Sequence, residues 1–561
     1  MSVPVGLDES GRVFHLTLGR GVTHHALVGG ATGTGKTNLL HLLILMLSTT
    51  YSPQELGLYL VDFKEGVEFQ DYVTRSLPHA KAVVLEAERE FGASILQRLV
   101  EEMERRSQSF KAVGVSDLPE YRRRAGKAMP RILLVMDEYV VLFSEDDRLS
   151  FQASEALGAL VMRGRSFGIH VLLSAQRPAS TFLSMVQIKN QMGLRIALKC
   201  RPDDSTLILG EGNEKAAKLV QAGEACVTSD PDRIDATVRI RIARLEPSER
   251  TLYLGGLREF AQLQHYSRLS EMIVFSRDAQ APWPKSPAIA RRLTSPAWNS
   301  LATPQFWLGQ PLRIMGDLAV ELAAEQGANL LVLGSDADLS ARLLIASVLG
   351  LSISIAPDQA RFVFIGAPNP QQPSGAIWTA IGAAKAHVFE MTSRQAAVDT
   401  VGMLMSELDT RLNGLPTQVS KRIFLVLAGL HQWYEARGPN PYTPSPAGES
   451  LNRILQQGPQ VGIHTLAWCD RLNTLGSVIG TGSAQDALAY FSHRVAMQTT
   501  QDESVNFIGV PHASKLGSER AYYRSERWAA DELEKFKPFA LPSVAEAASI
   551  TSTIKAHWTK P

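Results

Sequence analysis

The chain has 561 residues, which is too long for a single ordinary domain and predicts about two to four of them. Hydrophobic residues make up 45% of the sequence and charged residues 20%, which excludes a disordered or low-complexity protein. Lys and Arg number 57 against 56 for Asp and Glu, so the net charge is only +1. A nucleic-acid partner would therefore have to bind a local basic surface.

The cysteines and the apolar stretches predict a cytoplasmic protein. Cys200, Cys226 and Cys469 lack the paired spacing of a metal or redox motif, and we expect buried thiols in a reducing compartment. The longest apolar stretch, residues 39–51, is too short to span a bilayer. Residues 1–12 lack the basic and then apolar pattern of a secretory signal.

A phosphate-binding loop is predicted close to the N-terminus. HHALVGG predicts a short strand, ATGTGKT a loop with the spacing G-x-x-x-x-G-K-[ST], and NLLHLLILMLS an apolar helix. In such a loop, backbone N–H groups surround an anion at the positive end of the following helix. We expect Lys36 to reach the β- and γ-phosphates of ATP and Thr37 to bind Mg²⁺. The expected nucleotide contacts are Gly30, Ala31, Thr32, Gly33, Thr34, Gly35, Lys36, Thr37 and Asn38.

Three later strands are predicted to end in polar residues. PRILLVMDEYVVLF predicts a buried parallel strand that delivers Asp137 as a magnesium ligand and Glu138 as the base for the attacking water. GIHVLLSAQRP ends in Gln176, which either senses the γ-phosphate or is a solvated strand end. LGLYLVDFKEG ends on Asp62, for which a charged strand end is an equally good interpretation.

Two arginines precede the Gln176 strand, in the segment VMRGRSFG. In a ring of subunits, Arg163 or Arg165 could enter the neighbouring site as an arginine finger that neutralises transition-state charge. A solvated helix face is the other interpretation of the same pattern.

The second half repeats the pattern of the first without its chemistry. LVGGATGTGKTNLL aligns with LVLGSDADLSARLL, and RILLVMDEYVVLF with RIFLVLAGLHQWY, at offsets from 291 (Asp137 to Ala428) to 304 (Gly30 to Gly334). The replaced residues are Gly35 by Leu339, Lys36 by Ser340, Thr37 by Ala341, Glu138 by Gly429 and Gln176 by Asp470. Because the groups for phosphate, magnesium and water are lost together, we predict a second domain that does not hydrolyse ATP.

These motifs resemble the FtsK/SpoIIIE branch of RecA-like motor ATPases over residues 3–245, with a decayed repeat over 305–540. The segments that carry the resemblance are GGATGTGKT, EEMERRSQSF, RILLVMDEYVVL, RGRSFGIHVLLSAQRP, RIALKCRPDDSTLILG and GEACVTSDP. The resemblance implies an α/β fold of tandem RecA-like P-loop domains, with mainly parallel central sheets flanked by helices. It also implies Mg²⁺-dependent ATP hydrolysis by a homo-hexameric ring. In that ring Gln176 is the sensor, and Arg163 or Arg165 acts in trans.

The domain boundaries follow from composition and from the repeat. We expect an active ATPase domain at 1–277 and a degenerate one at 305–540. Between them, residues 278–304 are rich in proline, serine and basic residues and predict a linker. Residues 541–561 are predicted to be a C-terminal tail.

The family divides by cargo into pumps for double-stranded DNA and EccC/EssC-type motors that export proteins in type VII secretion. Two basic stretches, 120–127 and 185–201, favour DNA, and the residues expected to track its phosphates are Arg122, Arg123, Arg124, Lys189 and Arg195. LVDFKEG and the half-degenerate tandem resemble the secretion motors instead. We predict a DNA translocase, with protein export as the alternative. A membrane or regulatory partner could join through a further N-terminal part.

Overall fold

The computed structural model describes most of the chain. The described residues are 1–64, 68–85, 88–177, 186–266, 272–276, 282–295, 298–312, 317–366, 373–393, 395–414, 421–440, 443–479, 481, 483–529 and 532–559. The chain forms two compact units, Met1–Ala279 (unit 1) and Gln280–Pro561 (unit 2).

Unit 1 is built on one eleven-stranded sheet with helices packed against it. Its strands are β1 (Ser2–Asp8), β2 (Val13–Thr17), β3 (Ala26–Gly29), β4 (Leu56–Asp62), β5 (Ala80–Leu85), β6 (Arg131–Asp137), β7 (Ile169–Ala175), β8 (Leu194–Leu198), β9 (Glu224–Thr228), β10 (Val238–Ile242) and β11 (Ile273–Ser276). Its described helices are α1 (Lys36–Thr50), α2 (Gln70–Thr74), α3 (Arg89–Val113), α4 (Leu118–Ala125), α5 (Arg148–Arg163), α6 (Val186–Gln191), α7 (Pro202–Leu209) and α8 (Pro247–Leu263).

The strand order in unit 1 is β11-β5-β4-β6-β7-β3-β8-β9-β10-β1-β2. The strands from β11 to β8 are parallel, and the remaining four continue the sheet in antiparallel pairs. In β4, β6 and β7 nearly every residue is buried, as expected for parallel strands covered by helices on both faces. Because β3 pairs with both β7 and β8, the loop after β3 starts in the middle of the sheet. Ligands bind at such carboxyl edges in open α/β sheets.

Unit 2 contains a nine-stranded sheet and a separate two-stranded one. Its strands are β12 (Gln305–Trp307), β13 (Gly309–Pro311), β14 (Ala319–Glu321), β15 (Leu330–Leu333), β16 (Ala360–Ile365), β17 (Val388–Thr392), β18 (Arg422–Ala428), β19 (Ile463–Cys469), β20 (His493–Ala496), β21 (Ala521–Ser525) and β22 (Glu534–Pro538). Its described helices are α9 (Pro287–Thr294), α10 (Ala337–Ser354), α11 (Pro373–Ala383), α12 (Ala397–Asn413), α13 (Pro446–Gln457), α14 (Leu472–Ile479), α15 (Ala484–Leu488), α16 (Gln501–Ile508) and α17 (Val544–Trp558).

The two large sheets have the same topology. The order in unit 2, β17-β16-β18-β19-β15-β20-β21-β22-β13, matches strand by strand the order β5-β4-β6-β7-β3-β8-β9-β10-β1 of unit 1. The strands from β17 to β20 are parallel, and the last three are antiparallel, as in unit 1. The predicted fold class, tandem α/β domains with mainly parallel sheets, is confirmed.

Buried polar contacts are also duplicated between the units. His170 Nδ1 lies 2.9 Å from the His24 carbonyl oxygen, and His464 Nδ1 lies 2.8 Å from that of Ala328. Burial lowers the pKa of His170 to about 3 and that of His464 to about 4, so both rings are neutral packing groups. The scaffold therefore persists in unit 2 down to individual hydrogen bonds.

The repeat also predicts that EEMERRSQSF aligns with MSELDTRLNG, and the structure shows this pairing to be out of register by one residue. Arg106 donates to the Phe167 carbonyl at 2.7 Å, and Arg411 donates to the Val461 carbonyl at 2.9 Å. These two arginines are therefore equivalent, whereas aligning EEMERRSQSF with MSELDTRLNG puts Thr410 opposite Arg106. Most residues of α3 and α12 are not buried, so their sequences constrain the alignment weakly. The buried arginine fixes the register between the two helices.

The structure draws the domain boundaries differently from the predicted linker at 278–304 and tail at 541–561. Trp283 and Ile289 lie in the hydrophobic core of unit 2, where they are 1% and 0% exposed. Ala547 and Ile554, on α17, belong to the same core. The proline and polar residues of 278–304, and the shortness of 541–561, concealed the apolar residues through which both segments pack on the core of unit 2.

One helix among the described residues is long and apolar enough to cross a membrane. It is α10, with a mean hydropathy of 1.4, and 83% of it is buried within the protein. Its counterpart α1 is the apolar helix predicted after the P-loop, and it is buried in the same way within unit 1. Packing inside unit 2 therefore accounts for the composition of α10.

Candidate functional site

The loop between β3 and α1 leaves the start of α1 accessible to an anion. Gly35 precedes the helix with φ at 104°, and no side chain caps the first turn, which also contains no acidic residue. A Cβ atom added to Gly30 would lie 2.8 Å from the Leu198 Cβ, so only glycine fits there. Because the first-turn N–H groups carry partial positive charge, this segment fits a phosphate group.

Lys36 lies between the two acids that end β6. Its Nζ contacts the Asp137 carboxylate and donates to Glu138 Oε1 at 3.0 Å. All three side chains are buried, with residue exposures of 6%, 1% and 9%. The structure thus brings Lys36 together with two adjacent acids that lie 101 and 102 positions away in sequence. Two carboxylates against one ammonium leave a local negative charge, which suits a divalent cation.

Glu138 and Gln176 are linked through the backbone. The Gln176 N–H donates to both Glu138 carboxylate oxygens, at 3.1 and 3.2 Å, and Thr32 Oγ1 donates to Gln176 Oε1 at 2.9 Å. Glu138 has φ at 51°, a left-handed conformation that costs a side-chain-bearing residue about 1 kcal/mol or more. The fold therefore holds this carboxylate in a strained position between the P-loop and the end of β7.

Glu68, which contacts Thr37, and Asp62, which contacts the Glu68 backbone, extend the site beyond the residues predicted to form it. Thr37 Oγ1 donates to Glu68 Oε1 at 3.4 Å, and the backbone N–H of Glu68 donates to Asp62 at 3.1 Å. Asp62 pairs with Asp137 in the β4–β6 register and is fully buried. Burial, together with the charges of Asp137 and Glu68, raises its pKa to about 6. Sequence analysis missed Glu68, because an acid in a loop after a strand carries no spacing signal.

The remaining loop residues have structural contacts. Thr34 Oγ1 donates to the Ala31 carbonyl at 2.7 Å and closes the loop on itself. Asn38 was predicted as a nucleotide contact, but its side chain binds the segment after β10. Its Nδ2 donates to the Ala243 carbonyl at 2.8 Å, and its Oδ1 accepts from the Leu245 N–H at 2.9 Å. The Asn38 side chain therefore anchors α1.

Arg163 and Arg165 lie at the opposite edge of the sheet from the P-loop. Arg163 ends α5, Arg165 lies in the turn that leads into β7, and both are exposed. Since β3 and β7 are parallel, residues before β7 lie at the amino edge and the P-loop lies at the carboxyl edge. A seven-residue strand spans roughly 20 Å, which exceeds the reach of an arginine side chain. Neither arginine can therefore serve its own P-loop.

The candidate DNA-binding residues do not form one basic surface. Arg195 was predicted to contact DNA, but it is buried, with its guanidinium donating to three carbonyl oxygens. Arg122 donates to the Met129 carbonyl, and Arg124 pairs with a glutamate on α4. Arg123 is exposed and Lys189 is half-buried. All five residues of β8 (LRIAL) are buried, so Arg195 lies inside the protein although the segment around it contains several basic residues.

Arg195→Ala is expected to destabilise unit 1 by about 3 kcal/mol, since two buried carbonyl groups and one part-buried carbonyl lose donors at about 1–3 kcal/mol each. Arg494→Ala is the matched control, because Arg494 donates to three carbonyls in unit 2. All eight tryptophans lie after residue 282. Urea unfolding followed by tryptophan fluorescence should therefore shift for Arg494→Ala alone, and circular dichroism should also report Arg195→Ala. A circular dichroism unfolding curve that is unshifted for Arg195→Ala would contradict the buried placement.

The equivalent site in unit 2 has lost the features that fit a phosphate. Asp336 caps α10 by accepting from the Leu339 N–H at 2.9 Å, so a carboxylate occupies the helix start. Ala428 ends β18, and Gly429 comes next with φ at 90°, which keeps the turn of Glu138 without its carboxylate. The cavity beside Gly429 measures about 10 Å³, enough for one water molecule. These features argue against a triphosphate at this edge of unit 2.

Comparison with known proteins places the family match within unit 1. Residues 1–224 match the model of the FtsK/SpoIIIE family. The ESX secretion system protein EccC of Geobacillus thermodenitrificans (strain NG80-2) is 30% identical over 234 residues, which cover 40% of this chain. The matched region spans only 15% of the length of that relative.

Two solved structures match almost the whole chain. The cytoplasmic domain of the Thermomonospora curvata type VII secretion ATPase EccC has a TM-score of 0.67 at 19% identity, covering 100% of this chain and 67% of that chain. Thermomonospora curvata EccC (ATPases 2 and 3), solved in complex with a signal sequence peptide, has a TM-score of 0.60 at 20% identity. It covers 97% of this chain and 93% of that chain.

These likenesses show that both units have the fold of tandem P-loop ATPase domains. The family match lies on the unit that contains the glycine loop, Lys36 and the two acids of β6. The resemblance predicted from the motifs is therefore confirmed: residues 1–224 match the model of the FtsK/SpoIIIE family, and both units have the fold of tandem P-loop ATPase domains.

Proposed function

We propose that this chain is a motor ATPase of the type VII secretion kind, which hydrolyses ATP in unit 1 and acts on a protein substrate. The observation that carries the proposal is the likeness of both units, over the full chain, to the cytoplasmic domain of EccC. The relative with 30% identity is also a secretion-system protein. These comparisons favour protein export, our alternative, over the predicted DNA translocation.

The placement of the basic residues supports the same choice. A DNA motor needs free cations that can displace counterions from phosphates. Arg195 is buried, and Arg122 and Arg124 are held by internal partners. Three of the five residues predicted to bind DNA are therefore engaged within the protein, which argues against a surface that binds a duplex.

The residues of unit 1 fit Mg²⁺-ATP. Thr37 and Asp137 would hold the metal, which when bound would neutralise phosphate charge. Lys36 supplies a positive charge for the phosphates, while the carboxylates it now pairs with become available to the cation. Glu138 is positioned to take the proton of the attacking water, and Gln176 connects it to the P-loop through Thr32.

Assembly into a homo-hexamer would give the exposed arginines a site to act on. Arg163 and Arg165 lie at the amino edge of their own sheet, so they could complete only the P-loop of a neighbouring subunit. The equivalent positions in unit 2 are Gln457 and Pro459, which carry no charge. We place the chain in the cytoplasm, where its ATP is available, with any membrane partner attached elsewhere.

The test is the ATPase rate of the full chain with two kinds of added cargo. We expect stimulation of severalfold by a helical secretion-signal peptide, beginning with the one solved with Thermomonospora curvata EccC. A peptide of the same composition in scrambled order is the control and should leave the rate unchanged. Duplex DNA should not stimulate, across a salt series from low to physiological ionic strength.

Stimulation by duplex DNA that decreases steeply with salt would instead show that the cargo is DNA, because phosphate contacts release counterions. Such a result would overturn the proposed substrate and leave the ATPase assignment intact.

A further inference from the structure

Three side chains with metal-binding atoms meet in unit 2 at the edge where unit 1 has its catalytic residues. Cys469 ends β19, Asp470 comes next, and His431 lies in the short turn after β18. Aligned with unit 1, Asp470 occupies the place of Gln176, and His431 comes two residues after the counterpart of Glu138. The sequence spacing concealed this group, because its members come from two separate segments.

The separations of the donor atoms are close to those of a tetrahedral zinc site. Asp470 Oδ1 lies 3.9 Å from His431 Nδ1 and 3.9 Å from Cys469 Sγ. All three donor atoms lie within 4.8 Å of one another. Bonds of about 2.0–2.3 Å to zinc place tetrahedral ligands roughly 3.3–3.8 Å apart. Small side-chain rotations therefore suffice to bring the three atoms around one ion.

Neighbouring side chains orient the imidazole. The Trp468 ring meets the His431 ring edge-on with centroids 4.8 Å apart, and Trp468 Nε1 donates to the Gly334 carbonyl at 2.8 Å. Gln432 Nε2 lies 3.0 Å from His431 Nε2. With the Gln432 amide turned by half a rotation, its oxygen accepts from Nε2–H, and Nδ1 presents its lone pair to the ion. This is the outer hydrogen bond that metal-bound histidines use.

Charge and access also suit a divalent ion. A thiolate and a carboxylate together balance two positive charges in a buried place. The Cys469 thiol donates to the Arg471 carbonyl at 3.1 Å, so the metal has to displace this proton. Arg437 opposes a cation here, although its guanidinium is bonded to the His431 carbonyl at 2.6 Å. The Asp470 side chain is 32% exposed, and it gives the ion a route from solvent.

We propose that His431, Cys469 and Asp470 form a zinc-binding site in unit 2. Thiolate and imidazole select zinc over Mg²⁺, which prefers oxygen ligands. Unit 2 thus exchanges the nucleotide site of its counterpart for a transition-metal site that joins the turn after β18 to the end of β19. The site is independent of the cargo and of ATP turnover in unit 1.

The test uses the full chain, stripped with a chelator and then titrated with Zn²⁺ alone by calorimetry. We expect one zinc per chain. Cobalt in its place should give a thiolate charge-transfer band in the near ultraviolet. Zinc at about one hundred times its Kd should raise the unfolding midpoint of unit 2, followed by tryptophan fluorescence, by about 5–10 °C. Cys469→Ser and Asp470→Asn should each weaken zinc binding by about 100-fold, whereas Cys226→Ser, a buried thiol of unit 1, should not.

The proposal is overturned if the stripped chain binds no zinc, or if Cys469→Ser and Asp470→Asn bind it as tightly as the unchanged protein. Loss of the cobalt thiolate band in Cys226→Ser would also overturn it. If Cys469→Ser fails to fold, Asp470→Asn still tests the zinc site. The Asp470 side chain is part-exposed, so replacing it creates no cavity in the core. Lys36→Ala should keep the zinc site, which separates this outcome from the fate of the ATPase.

Discussion

Lys36→Ala is expected to reduce kcat/KM for ATP by about 1,000-fold. Lys36 supplies the positive charge of the P-loop, and losing one preorganised charged donor costs roughly 100- to 1,000-fold in rate. The loss should reach the upper end, because Asp137 and Glu138 then face the phosphates without the ammonium they now contact. A coupled phosphate-release assay on the purified chain measures the effect.

Ser340→Ala is the matched control for this variant. Ser340 aligns with Lys36 in unit 2, where its hydroxyl donates to the Ala337 carbonyl at 2.8 Å. Turnover should stay within a factor of two of the unchanged protein (on the order of 0.4 kcal/mol in barrier). Near-normal turnover in Lys36→Ala would show that the P-loop of unit 1 is not the working site. A large loss in Ser340→Ala would show that unit 2 takes part in hydrolysis.

Glu138→Gln is expected to reduce kcat by about 100- to 10,000-fold while ATP binding is kept. The amide has the shape of the carboxylate and can still accept from the Gln176 N–H, so the strained turn should persist. It cannot accept a proton from water. Single-turnover hydrolysis together with binding of a fluorescent ATP analogue separates the two effects.

Glu104→Gln provides the control, since Glu104 is an exposed carboxylate on α3 away from the site. It should change neither kcat nor ATP affinity. Rapid hydrolysis by Glu138→Gln would assign the base to another group, such as Glu68, which contacts Thr37, or Asp62, which accepts from the Glu68 N–H. Loss of ATP binding would mean that Glu138 shapes the pocket and is not a base.

Sequence sufficed for the scaffold because the scaffold depends on local pattern. Apolar runs such as those of β4, β6 and β7 are typical of buried parallel strands, and the glycine loop marks where the nucleotide edge of their sheet lies. The repeat could be aligned because both halves keep those runs. Lys36 could be predicted because it has a fixed place in the glycine loop, and Glu138 because it directly follows the buried strand β6.

Side chains that act across the fold could not be predicted in this way. Glu68 lies in a loop and contacts Thr37, and Arg195 is buried although it belongs to a segment with several basic residues. His431 and Cys469 are 38 positions apart and meet only because β18 and β19 are neighbours. These contacts depend on tertiary packing, which produces no periodic pattern in the sequence.

Each chain is expected to contain a single nucleotide site, in unit 1. Equilibrium binding of Mg²⁺-ATP to the Glu138→Gln protein, at saturating nucleotide, measures this directly. We expect one ATP per chain, and none once Lys36→Ala is added. Two ATP molecules per chain, or one that survives Lys36→Ala, would place a nucleotide on unit 2 and contradict the account.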